Sequence, residues 1–88
     1  MATRVLIIDD EEKLRTLLSR IIALEGYEVL DAADIKSGLK KLGQSEIDIV
    51  LSDVKLPDGT GIALVEEIKR KLPETEVILM TAYGNIPD

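Results

Sequence analysis

A chain of 88 residues, 45% hydrophobic and 32% charged, has room for one small domain with a modest core, and with two tyrosines as its only aromatics that core must be aliphatic. A formal charge of -6 argues against direct nucleic-acid or anionic-membrane binding by this segment, since either partner selects clustered Lys and Arg. Cysteine and histidine are absent, which excludes disulfides, zinc sites of the usual types, catalytic thiols and the commonest general base. No apolar run reaches the ~18 residues of a membrane helix, and the N-terminus lacks a signal-peptide core, so a cytoplasmic protein is expected.

Arg4 to Ile8 is apolar, unalternating and rich in β-branched residues, as a strand covered on both faces should be. From Glu11 to Glu25, Leu14, Leu17, Leu18, Ile21 and Ile22 recur at offsets of three and four, which predicts a helix with one buried stripe, led by acids and stopped by Gly26. Glu28 to Asp31 reads as a second strand. Asp34 then caps a helix that buries Ile35, Gly38, Leu39 and Leu42 and ends at Gly43. Asp48 to Ser52 is the third strand and Val54 to Gly61 a loop. Ile62 to Leu72 is a helix burying Val65, Ile68 and Leu72, stopped by Pro73, and Glu76 to Met80 is a fourth strand. Strict alternation of strands and helices implies a doubly wound parallel α/β sheet with helices on both faces.

Two of these strands end in acid: the first in Asp9 and Asp10, the third in Asp53. In doubly wound sheets ligands sit at the carboxyl ends of the strands. Three carboxylates converging on one rim repel one another unless a divalent cation or a proton neutralises them, and oxygen-only ligation suits Mg2+.

Three motifs, Val5-Leu6-Ile7-Ile8-Asp9-Asp10-Glu11-Glu12, Leu51-Ser52-Asp53-Val54-Lys55-Leu56-Pro57-Asp58-Gly59 and Met80-Thr81-Ala82-Tyr83-Gly84, resemble the receiver domains of bacterial two-component response regulators. The match runs over essentially the whole chain. The stretch through Asn85-Ile86-Pro87-Asp88 further resembles receivers of the nitrogen-regulation type, which control sigma-54-dependent transcription activators. The resemblance implies a flavodoxin-like (CheY-like) fold with strand order 2-1-3-4. It makes Asp53 the phosphoryl acceptor, with Mg2+ held by the carboxylates of Asp10 and Asp53 and the backbone carbonyl of Lys55, and with Asp9 acting mainly through a metal-bound water. Thr81 becomes the switch hydroxyl, Ala82 the small neighbour that leaves the site open, and Tyr83 lies near an aromatic position that reorients in some members. A sensor histidine kinase and an output domain or partner protein, most simply transcriptional, are the implied partners.

Each residue also has a plainer reading. Asp9 and Asp10 could start and cap the first helix, Asp53 could be an ordinary loop acid, Thr81 a strand-end residue bonded to backbone, and the Lys55 side chain simply solvated. The conjunction at successive strand ends favours the site. Gly59-Thr60-Gly61 lacks the Gly-Lys-Ser/Thr ending of a phosphate loop and its position after the first strand. A flavin site would need phosphate donors where Asp9 and Asp10 place negative charge, and an aspartyl phosphatase usually carries a second acid where this chain has Lys55.

Receivers usually continue with a fourth helix, a fifth strand ending in a lysine, and a fifth helix. Residues 1 to 88 are read as the portion before them, so Val77 to Met80 should form an open edge, and the 88 residues alone should be unstable or have the sheet completed by a second polypeptide or a swapped copy. The expected function is Mg2+-dependent acceptance of a phosphoryl group on Asp53. The alternatives are a truncated or engineered half-domain serving as a scaffold without phosphotransfer, and an aspartyl phosphotransferase or phosphatase.

Overall fold

A computed structural model of the chain describes residues 2–80. Thr81, Ala82, Tyr83 and the Asn85 to Asp88 stretch therefore lie outside the described residues. Along the chain run β1 (Arg4–Ile8), α1 (Glu12–Leu24), β2 (Glu28–Ala32), α2 (Ile35–Gln44), β3 (Ile49–Asp53), β4 (Lys55–Leu56), β5 (Gly59–Thr60), α3 (Gly61–Lys71) and β6 (Glu76–Met80). The main sheet has four parallel strands in the order β2-β1-β3-β6, the expected 2-1-3-4 arrangement.

Position in that sheet explains β1. It lies between β2 and β3, and Val5, Leu6, Ile7 and Ile8 are all buried, so an unbroken apolar run is what its two covered faces demand. Leu6 and Ile8 join Ala32 and Val50 in one core with Leu42 of α2 and Leu64 and Ile68 of α3. Val5 and Ile7 point to the opposite face, where α1 lies, as right-handed crossovers require.

α2 begins as its sequence predicts: the Asp34 side chain accepts from the Ser37 amide at 2.8 Å. It runs to Gln44, one residue past Gly43. At Gly38 the helix approaches β1 so closely that a Cβ would sit 2.5 Å from Ile8 Cδ1.

Three expectations need correction. The α1 stripe is narrower than predicted: Leu14, Leu18 and Ile22 are half-buried, whereas Leu17 and Ile21 remain 53% and 49% exposed. Among the described residues α1 is the one helix on its face, so the flank of its apolar stripe has nothing to pack against. In α3 the buried side chains are Leu64 and Ile68, with Val65 half-buried and Leu72 exposed. The helix starts at Gly61, which fixes a Gly61, Leu64, Ile68 face toward the sheet, and Leu72 is the C-cap, already off the helical path. Finally, the loop from Val54 to Gly61 is ordered, because β4 and β5 pair antiparallel within it and Leu56 enters the core.

β6 is the edge of the sheet among the described residues. Its Ile78 and Leu79, on opposite faces, are 51% and 37% exposed.

Candidate metal centre

β1 and β3 are parallel neighbours, with Ile8 opposite Ser52, so the residues that follow them emerge side by side at the same rim. Asp9 is 2% exposed and tightly held. Its amide donates to the Ala32 carbonyl at 3.1 Å, its Oδ1 accepts from the Glu11 amide at 2.8 Å, and its carbonyl accepts from Arg15 Nη1 at 2.8 Å. Asp53, 7% exposed, accepts from the Lys55 amide through Oδ1 at 3.3 Å. Asp10 is exposed, yet one carboxylate oxygen from each of Asp9, Asp10 and Asp53 can be found with all three within 4.8 Å of one another.

Burial is the chief reason that the Asp9 carboxyl is pushed above its ordinary value, and the charges of Asp53, Asp10 and Glu11 push the same way against the Glu11 amide. The helix-cap reading of the acid pair does not describe this arrangement. The N-cap of α1 is Glu11, which makes no side-chain cap bond, and Asp9 bonds the Glu11 amide ahead of the helix. A set of hard oxygen donors, two of them buried and all mutually repelling, fits a small divalent cation such as Mg2+. The Lys55 side chain is exposed, while its backbone is fixed opposite Thr60 in the short ribbon. Thr81 lies outside the described residues; the last described residue, Met80, stands opposite Asp53 in the register.

Two residues bear on this rim without a signal in the sequence. Arg15, besides holding the Asp9 carbonyl, pairs through Nε with Asp31 Oδ2 at 3.0 Å and so ties α1 to the ends of β1 and β2. It is polar beside an apolar stripe, and helix periodicity gives such positions no meaning. Asp58 lies in a Pro57-Asp58-Gly59 turn, where an acid is ordinary. It nevertheless accepts from the amides of Ile35 and Lys36 at the start of α2.

Comparison with known proteins agrees with this geometry. The family described as the response regulator receiver domain matches residues 5–88. Transcriptional regulatory protein GlrR of Escherichia coli is 37% identical over 84 residues, covering 96% of this chain and 19% of its own length. Sporulation initiation phosphotransferase F of Bacillus subtilis is 35% identical over 86 residues, covering 98% of this chain and 69% of its own. An NtrC of Proteus hauseri, in line with the expected nitrogen-regulation type, is 34% identical. Among solved structures, the response regulator TrrA of Thermotoga maritima in complex with Mg2+ and BeF superimposes with a TM-score of 0.87 at 35% identity, covering 93% of this chain and 71% of that one. The same protein is known in complex with the histidine kinase ThkA. The chain thus spans about a fifth of the first transcriptional regulator it matches. Family match and fold agree, and the chain belongs to the response regulator receiver domain family.

Proposed function

We propose that the chain is a phosphorylation-dependent switch that takes a phosphoryl group from a sensor histidine kinase onto Asp53. The observation that carries this reading is the convergence of Asp9, Asp10 and Asp53 at the rim between β1 and β3. Asp10 and Asp53 would hold Mg2+ through carboxylates, Lys55 through its carbonyl, and Asp9 mainly through a bound water. When bound, Mg2+ offsets charge between the carboxylate and the incoming phosphoryl group.

The chain's own part is positioning. The Lys55 amide orients the Asp53 carboxylate, and Ser52 Oγ donates to the Asp53 carbonyl at 2.9 Å, fixing the strand end. A carboxylate oxygen of Asp53 attacks phosphorus as the bond to the donor imidazole nitrogen breaks. The product is an acyl phosphate, and the imidazole leaves with the bonding electron pair and takes a proton from solvent. The phosphoryl group brings close to two negative charges, and Thr81 is assigned as the hydroxyl that turns toward it.

Support for the partners comes from relatives: TrrA is known with a histidine kinase, and GlrR is named a transcriptional regulatory protein. The proposal therefore places this domain in the cytoplasm, upstream of an output domain or partner. We also infer that residues 1–88 taken alone are either unstable or have the exposed β6 edge paired by a second polypeptide or a swapped copy. Sedimentation of the isolated 88-residue chain tests this, and a well-folded strict monomer would contradict it.

Intact mass after incubation with Mg2+ and acetyl phosphate tests phosphoryl acceptance. A single phosphoryl adduct on the parent and none on Asp53→Asn is expected. No adduct on a chain shown by circular dichroism to be folded would favour the scaffold reading.

A further inference from the structure

The ribbon after β3 has an anchor that the metal site does not explain. Lys55 pairs with Thr60 and Leu56 with Gly59, which puts Pro57 and Asp58 at the tip. Leu56 is buried in the core, and Thr60 Oγ1 accepts from the Ala63 amide at 3.1 Å as the cap of α3. The third anchor is Asp58. Its Oδ1 accepts from the Ile35 amide at 2.9 Å and its Oδ2 from the Lys36 amide at 3.0 Å.

Those amides open α2 and have no carbonyl partner within the helix. Asp34 satisfies the next one, at Ser37, so α2 is capped partly by its own chain and partly by the ribbon. Contact is close enough that a Cβ on Gly59, which has φ of 154°, would sit 2.8 Å from Ile35 Cδ1. The two amides also hold the Asp58 carboxyl below its ordinary value, so the latch stays ionised at neutral pH.

We propose that Asp58 is a positioning residue for the metal site: by latching the ribbon tip to α2 it fixes the backbone of Lys55, and with it the carbonyl that completes the oxygen set of Asp9, Asp10 and Asp53. This rests on the metal reading of the acids given above. Mg2+ demands short, near-octahedral ligation, and any disorder in a ligand must be removed when the ion binds. A carboxylate that accepts two amides through two oxygens removes that disorder beforehand.

Calorimetric titration with MgCl2 of the parent, Asp58→Asn and Asp58→Ala, each checked by circular dichroism, tests the role at low and high KCl. Asp58→Ala is expected to weaken Mg2+ binding about tenfold, the scale of outer-shell partners at metal sites, and Asp58→Asn by less, since its one amide oxygen can keep one bond. The loss should persist in high salt, because lost order is not screened, and labelling of Asp53 by acetyl phosphate at saturating Mg2+ should match the parent. Ile35→Pro supplies a variant that leaves the charge of Asp58 in place. It deletes one donor at the first helical position, where proline is tolerated, after an Asp34 whose φ of -153° and ψ of 176° suit a residue before proline. It should weaken binding several-fold.

Affinities equal to the parent's in folded variants would overturn the role of Asp58. So would an equal loss in Asn and Ala that vanishes in high salt, since that is an effect of charge alone. A folded parent that binds no Mg2+ would instead overturn the metal reading itself.

Discussion

Opposite ends of the same sheet treat their acids in opposite ways. At the amino ends of the strands, Glu28 meets Arg4 Nε at 2.7 Å, Asp48 accepts the Arg4 amide at 2.8 Å, and Arg4 Nη1 also reaches the Glu46 carbonyl. At the carboxyl ends, Asp9, Asp10 and Asp53 face one another, and two cations at that rim are engaged elsewhere, Arg15 on Asp31 and the Asp9 carbonyl and Lys41 on the Asp31 carbonyl. Paired acids cost a fold little. Acids gathered against their own repulsion, two of them buried, mark the candidate site.

The largest effect should come from removing the proposed acceptor. Asp53→Asn abolishes the phosphoryl adduct, read by intact mass, because an amide is a far weaker nucleophile than a carboxylate. Next comes the metal. Asp10→Asn removes one charge and one proposed ligand while leaving the buried acids in place, and calorimetry should show Mg2+ affinity falling about tenfold or more.

Asp9 sharpens the contrast through pH. Its folded pKa lies above the ordinary 3.8, so the folded chain binds this proton more tightly than the unfolded one. Without metal, this group adds stability as pH falls through the window between 3.8 and the raised value and withdraws it as pH rises through that window. Asp9→Asn keeps an oxygen for the Glu11 amide and loses the charge, so chemical denaturation at neutral pH without metal should find it more stable than the parent. A variant less stable than the parent would mean that the cluster is not strained.

The smallest effect belongs to the amino rim. Arg4→Gln breaks an exposed pair with Glu28, and the thermal midpoint should move by less than about 3 °C with Mg2+ affinity unchanged. A large change in either would erase the distinction between the two rims.

Much of this was legible in the residues. The four parallel strands could be read because β1, β3 and β6 are short apolar runs set between helical periods. The acid cluster could be read because parallel strands put Asp9, Asp10 and Asp53 at one end. Periodicity alone could not show how much of α1 would be covered, since Leu17 and Ile21 carry the same signal as Leu14 and Leu18, and only the neighbouring elements decide exposure. The α3 face turned on a helix start at Gly61, next to the Asp53 carbonyl, one residue earlier than expected. Arg15 bonds the Asp9 carbonyl and the Asp31 carboxylate, and Asp58 bonds amides 22 and 23 residues away; all lie outside their own elements, and no local pattern encodes those bonds.

Whether the gathered acids serve a cation, and the cation serves Asp53, is tested most directly by the intact mass of the parent chain after acetyl phosphate treatment in Mg2+ and, in parallel, in EDTA. A single adduct that forms in Mg2+ and fails to form in EDTA is the predicted result. An adduct that forms equally in both, or that appears on Asp53→Asn as well, would contradict it.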